Sequence, residues 1–195
     1  LAESYSAIPA SFLAITHGVS AVGKSHVAMR LVESLGAIRL RSDVERKRML
    51  GEQSADLKGH INAGIYTTEA AQATYQRLHQ LATRILQAGF AVVIDAAYLK
   101  HEQRQAAQQV AEQTGAALMI LDCHAPDAVI STWLAQRQAA QQDPSDATQA
   151  IIDAQHASRE ALDSAEQAVS IRIDTHDTDS LSSLITRLRN YLPGI

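Results

Sequence analysis

HGVSAVGKSHVA, residues 17–28, follows one apolar run and leads into a helical pattern. Gly18, Gly23, Lys24 and Ser25 fit G-x-x-x-x-G-K-[ST]. Glycines at those two places let a backbone curl until its N–H groups converge on phosphate oxygens, and the helix that follows adds its positive end. A lysine there reaches the outer phosphates, and the serine hydroxyl ligates Mg²⁺. Gly18, Val19, Ser20, Ala21, Val22, Gly23, Lys24, Ser25 and His26 are therefore the expected phosphate contacts. Two rival motifs fail on the same letters. A nucleophile elbow, G-x-S-x-G, would need glycine at Val22, and the dinucleotide pattern G-x-G-x-x-G would need it at Ser20.

Working outward, five short apolar runs (11–16, 37–41, 90–95, 117–123 and 169–174) alternate with helical patterns. That alternation predicts an α/β fold with a mainly parallel sheet. Runs 90–95 and 117–123 are apolar almost throughout, which suits strands covered on both faces. Arg39 and Arg41 interrupt the second run and predict an edge strand. Helices are expected over 24–35, 68–88, 101–114 and 126–142, over 149–162, and over 179–192 before Pro193. One domain, 12–192, is expected, with residues 1–11 as a linker to a further domain on the N-terminal side.

The chain has 195 residues, 46% hydrophobic and 19% charged, with a net charge of −4. That balance gives no electrostatic reason to expect nucleic acid or acidic lipid as partner. The single cysteine, Cys123, excludes an internal disulfide and suits a reducing, cytoplasmic setting. No apolar run approaches the roughly 18 residues of a membrane span, and the first residues lack the pattern of a signal peptide. The eight histidines form no H-E-x-x-H and no Cys/His pair at metal spacing; His17 and His124 read as packing or loop residues.

Chemistry in an open parallel sheet gathers at the carboxyl ends of its strands. There "RLRSDVERKR" puts Asp43 beside the second strand and Arg46 one turn along a new helix. Asp43 is either the base that takes the proton of an attacking hydroxyl or a helix cap. Asp95 ends the third run and is expected to act on Mg²⁺ or to hold the acceptor. Ala96 stands where water-activating ATPases commonly carry glutamate, and there is no N-K-x-D to read guanine. Both features favour transfer to an acceptor over hydrolysis. Arg137 precedes a breaker-containing segment and reads as a lid cation for the transferring group. Arg104 is expected to reach the acceptor from the loop after the third strand. Arg39, Arg41, Arg46, Lys47 and Arg48 cluster within ten positions of an otherwise acidic chain, so the acceptor is expected to carry an anionic group.

On "GVSAVGKS", "RLRSDVERKR", "VVIDAAYLKHEQR" and the Arg137 segment, taken in that order, the chain resembles the P-loop kinase superfamily. The similarity is to the branch holding gluconate kinase, zeta toxin and polynucleotide 5′-kinase. Within it, a group of bacterial AAA-like kinase domains, some fused behind an aminoglycoside-phosphotransferase-like domain, is nearest. The resemblance implies a three-layer sandwich with a five-stranded parallel sheet of order 2-3-1-4-5 and a helical lid. It also implies transfer of phosphate from Mg·ATP to a hydroxyl of a small molecule. Lys24, Asp43, Arg46 and Arg137 would then serve catalysis, Ser25 and Asp95 the metal, and Asp43, Arg46, Arg41, Asp95 and Arg104 the acceptor. Ala21 departs from the glycine usual in relatives, and glutamines at 138, 141 and 142 replace lid arginines. Those departures leave open a nucleotide-binding regulatory module that transfers nothing. A nucleic-acid 5′-hydroxyl kinase is the other alternative, and an aromatic content of 4% argues against it.

Overall fold

The computed structural model describes residues 11–53, 68–140 and 148–192. Phe12–His17 forms β1, buried along its whole length. Its alternate side chains feed two separate cores. Phe12 and Ala14 pack with Val27, Ala28, Leu31, Leu184 and Leu188, while Leu13 and Ile15 pack with Leu78, Ala82, Ala107 and Val110. Burial on both faces is why this strand reads as continuously apolar. It also makes the domain three layers deep, with the sheet between helices.

After β1 come α1 (Lys24–Leu35), β2 (Ile38–Arg41), α2 (Ser42–Gln53), α3 (Thr68–Gln87), β3 (Val92–Asp95), α4 (His101–Thr114) and β4 (Ala117–His124). Then follow α5 (Asp127–Ala140), α6 (Gln149–Ser158), α7 (Ser164–Ala168), β5 (Ser170–Asp174), α8 (Thr178–Ser182) and α9 (Leu184–Tyr191). The strand order is β2-β3-β1-β4-β5, as the family resemblance implied, and every pairing is parallel. β2 lies at the edge. Because the connection after β1 runs toward one edge of the sheet and that after its neighbour β4 toward the other, the loops at their carboxyl ends open into a crevice.

The differences are local. The helix expected over 149–162 stops at Ser158, and Arg159 is extended at φ −65° and ψ 132°. The closing helix is broken at Ser183 into α8 and α9. There the hydroxyls of Ser182 and Ser183 donate to the carbonyls of Asp179 and Ser180, so side chains compete for the helix's own acceptors. The unexpected α7 owes its start to a capping box: Asp163 accepts from the Glu166 N–H, and the Glu166 carboxylate accepts from the Asp163 N–H. Among the described residues, no helix is long and apolar enough to cross a membrane.

Candidate active site

The turn between β1 and α1 is pinned on three sides. Gly18 donates its N–H to the Ala97 carbonyl at 3.1 Å and holds a φ of 142°. A Cβ there would stand 2.9 Å from the Cys123 carbonyl oxygen, so backbone of β4 fills the space a side chain needs. Gly23, at φ 92°, packs as closely on Thr175, which a Cβ would meet at 3.0 Å. Thr175 Oγ1 in turn hydrogen-bonds the Val22 carbonyl at 2.6 Å and that of His124 at 2.9 Å. Thr16 clasps the neighbouring strand end, its hydroxyl donating to Ala96 O at 2.7 Å and accepting from Ala96 N–H at 3.0 Å. Ala21 keeps the left-handed φ of 63° even though it is not glycine. Such a conformation disfavours a Cβ by roughly 1–2 kcal/mol, so the anchors, not the residue, impose the loop's shape.

Lys24 leans back over this loop, its ammonium donating to the Val19 carbonyl at 2.6 Å. One residue on, Ser25 Oγ donates to Asp95 Oδ2 at 2.8 Å. The same carboxylate oxygen accepts from Arg39 Nε at 3.1 Å and from its terminal nitrogen. Asp95 is thereby buried between the loop and the edge strand. Two hard oxygen donors side by side, Ser25 Oγ and Asp95 Oδ2, are the ligand chemistry Mg²⁺ prefers.

Across a cleft of about 330 Å³ stand Asp43 and Arg46. Asp43 lies inside the first turn of α2, where its Oδ1 accepts from the adjacent Val44 N–H at 2.9 Å. Arg41 grips the same carboxylate in two-pronged fashion, Nε to Oδ1 at 3.1 Å and a terminal nitrogen to Oδ2 at 2.6 Å. Arg41 thus fixes the orientation of Asp43, and both line the cleft. Arg39 turns instead to Asp95, and Arg48 pairs with Glu45.

Tyr75 lines the far wall of the cleft, and Tyr98 and His79 pack against it. Tyr75 Oη accepts the Tyr98 N–H at 3.0 Å, the two rings meet edge to face at 5.0 Å, and His79 Nε2 lies 3.0 Å from Tyr98 Oη. Burial pushes the Tyr75 phenol up to about 12 and His79 down to about 4, so both stay neutral. Lys100 and Gln103 complete this end of the cleft.

One expectation needs correction. Arg104 does not face the cleft. It is buried to 1% exposure, with Nε on Glu166 Oε1 at 2.7 Å and a terminal nitrogen on Oε2 at 3.0 Å. Its other bonds go to the carbonyls of Tyr98, Glu160 and Ala161. Burial alone would raise the Glu166 carboxyl, but the hydrogen bonds and charge of Arg104 outweigh it and hold that group below the usual range. Within the loop, Ser20, Ala21, Gly23, Lys24 and Ser25 line the cleft. Val19 and Val22 send side chains into the core, and His26 is exposed beyond the loop. Arg137 falls on α5, its side chain outside the described residues, as are residues 1–10 and 141–147.

The sequence reading expected the helix that forms α6 but not the contacts of Gln155 and of Arg159 just beyond it. Gln155 Oε1 accepts the Ser20 N–H at 2.6 Å. Four residues on, Arg159 donates from Nε to His17 Nε2 at 3.0 Å and from a terminal nitrogen to Asp122 Oδ1 at 3.2 Å. Asp122 Oδ2 meets His124 Nε2 at 2.7 Å. Burial pushes His17 down to about 4, so the ring is neutral, accepting at Nε2 and carrying its proton on Nδ1. No local signal marked them, because Gln155 lies near the end of α6 and Arg159 is extended just beyond it, and both meet partners far away in the sequence.

Comparison with known proteins agrees with this anatomy. A family model described as AAA domain matches residues 13–162. An uncharacterized protein of Mycobacterium tuberculosis strain H37Rv is 29% identical over 151 residues, and one of Mycobacterium bovis matches to the same extent. The match takes in 76% of this chain but 29% of either relative, so the chain spans under a third of their length. Among solved structures, a sugar kinase from Janibacter sp. superposes with a TM-score of 0.67 at 18% identity, covering 94% of this chain and 95% of that one. A gluconokinase from Sinorhizobium meliloti gives 0.61 at 16%, covering 94% and 97%. An adenylylsulfate (APS) kinase from Mycobacterium tuberculosis, in complex with AMPPNP and APS, gives 0.60 at 20%, covering 93% and 99%. The family match spans most of the chain, and the sheet order and phosphate-type loop agree with it: this chain belongs to the AAA domain family and has the fold of the P-loop kinases.

Proposed function

We propose that the chain is a kinase that transfers the γ-phosphate of Mg·ATP to a hydroxyl of a small molecule carrying an anionic group. One observation carries the reading: the Lys24–Ser25 end of a glycine-bounded loop and the Arg41-held carboxylate of Asp43 face each other across one cleft. A loop alone would suit any nucleotide binder; a fixed carboxylate opposite it supplies what an alcohol acceptor needs.

In this reading the Lys24 ammonium leaves the Val19 carbonyl for the β- and γ-phosphates. Ser25 and Asp95 would hold Mg²⁺, which when bound neutralises phosphate charge. Asp43, oriented by Arg41, accepts the proton as the hydroxyl oxygen attacks the γ-phosphorus and the bond from that phosphorus to the departing ADP breaks. Arg46, a turn along α2, orients the acceptor's anionic group, with Lys100 on the opposite wall. Tyr75 stays a phenol and gives the acceptor an uncharged face. The solved sugar kinase and gluconokinase of the same fold favour a small polyhydroxylated acceptor. Arg137, on α5, remains the proposed lid cation, and the cytoplasm the proposed setting.

Calorimetric titration of Mg·ATP into the wild-type chain and Lys24→Ala tests the nucleotide half. The reading expects binding that the variant weakens by ~10-fold or more. Equal affinities in the two proteins would remove Lys24 from the phosphates and the reading with it.

A further inference from the structure

Gln155 stands against the phosphate-type loop from outside it, and its amide is oriented by the contact. The Ser20 N–H can only donate, so the end of the amide that meets it at 2.6 Å is the carbonyl Oε1. The Nε2 end, with two N–H donors, has no hydrogen-bond partner among the described residues. Gln155 lines the same cleft as Ser20, Lys24 and Asp43.

Its backbone is held from both sides. Ile152, one turn earlier, is buried in the core at 2% exposure, and Arg159, one turn later, is anchored on His17 and Asp122. Ser20 belongs to the first half of the loop, away from the Gly23–Ser25 end that opens α1. A group seated on Ser20 is therefore offset from the helix end, where the inner phosphates of a nucleotide bind.

We propose that Gln155 is a specificity residue for the terminal phosphate: Ser20 holds its carbonyl end, and Nε2 donates to a γ-phosphate oxygen. This deepens, and rests on, the nucleotide reading given above. No bond is made or broken by Gln155; it adds a neutral donor where charge builds on the transferring group, and it has nothing to touch in a diphosphate.

Gln155→Glu separates this from a bracing role, because the carboxylate keeps an acceptor for the Ser20 N–H while replacing the donors with negative charge. Affinities for Mg·ADP and for a non-hydrolysable Mg·ATP analogue are measured by calorimetry on wild type, Gln155→Glu and Gln155→Ala, with thermal unfolding confirming that each variant is folded. The proposal expects Gln155→Glu to lose ~10-fold or more in affinity for the triphosphate analogue, and Gln155→Ala a smaller amount. Both should bind Mg·ADP within about twofold of wild type. Parallel losses for ADP and the analogue would make Gln155 a brace of the loop and overturn the proposal, as would two variants indistinguishable from wild type. A wild-type chain that binds neither nucleotide would overturn the nucleotide reading itself, whereas wild-type binding of both with no selective loss would fail this inference alone.

Discussion

Arg104 and Glu166 face each other edge to edge, both guanidinium contacts at 2.7–3.0 Å, deep between α4 and α7. Nearly complete burial of the arginine and a carboxylate held below its usual range make this a structural ion pair. Removing one partner leaves the other charged and desolvated, which typically costs 3–5 kcal/mol. Arg104→Ala should lower the urea-unfolding free energy by about that much. A variant of normal stability with an altered acceptor KM would return Arg104 to the acceptor site.

Gly18→Ala sets a Cβ against the Cys123 carbonyl in a backbone region that L side chains avoid. Neither the carbonyl nor the loop can retreat, because Gly18 N–H is bonded to Ala97 and the loop's far end to Thr175. A destabilisation of about 2 kcal/mol is expected, together with loss of nucleotide binding. Thermal unfolding and ATP titration check both; a variant matching wild type in each would mean the loop is not held as described.

His17 and His79 are both buried neutral, pushed down to about 4 chiefly by desolvation. In the unfolded chain they take up protons near their ordinary value of about 6.5. Between those two values the unfolded state binds more protons, so stability falls as the pH drops from about 6.5 to about 4 and levels off for these groups below that. Each contributes at most roughly 3 kcal/mol over this range. Urea midpoints measured across it should show a slope that His79→Gln reduces, the amide still able to meet Tyr98 Oη. An unchanged slope in the variant would assign the acid sensitivity elsewhere.

The five strands and the loop were legible because the strands are short apolar runs, four of them bordered by a nearby glycine: Gly18 after β1, Gly36 before β2, Gly89 before β3 and Gly115 before β4. Asp43, Arg46 and Asp95 could be placed from strand ends alone, a local property. What escaped the sequence were pairings across long separations. Arg104 looked like a site arginine because its partner, Glu166, stands 62 residues away on a short capped helix. Gln155 meets Ser20 across 135 residues, and a glutamine in a glutamine-rich chain reads as surface. Arg39 and Arg41 have the same strand periodicity, yet one goes to Asp95 and the other to Asp43. Periodicity gives a face, not a partner.

The most direct test of a kinase site built on Lys24 and Asp43 follows the label from γ-labelled ATP, offered with Mg²⁺ and a panel of sugars and sugar acids. Wild type, Lys24→Ala and Asp43→Asn are compared. The account predicts label in a phosphate ester of one of these alcohols, abolished in Lys24→Ala and reduced ~100-fold or more in Asp43→Asn while that variant still binds ATP. Label found only in free phosphate, released at the same rate by wild type and Asp43→Asn, would contradict it.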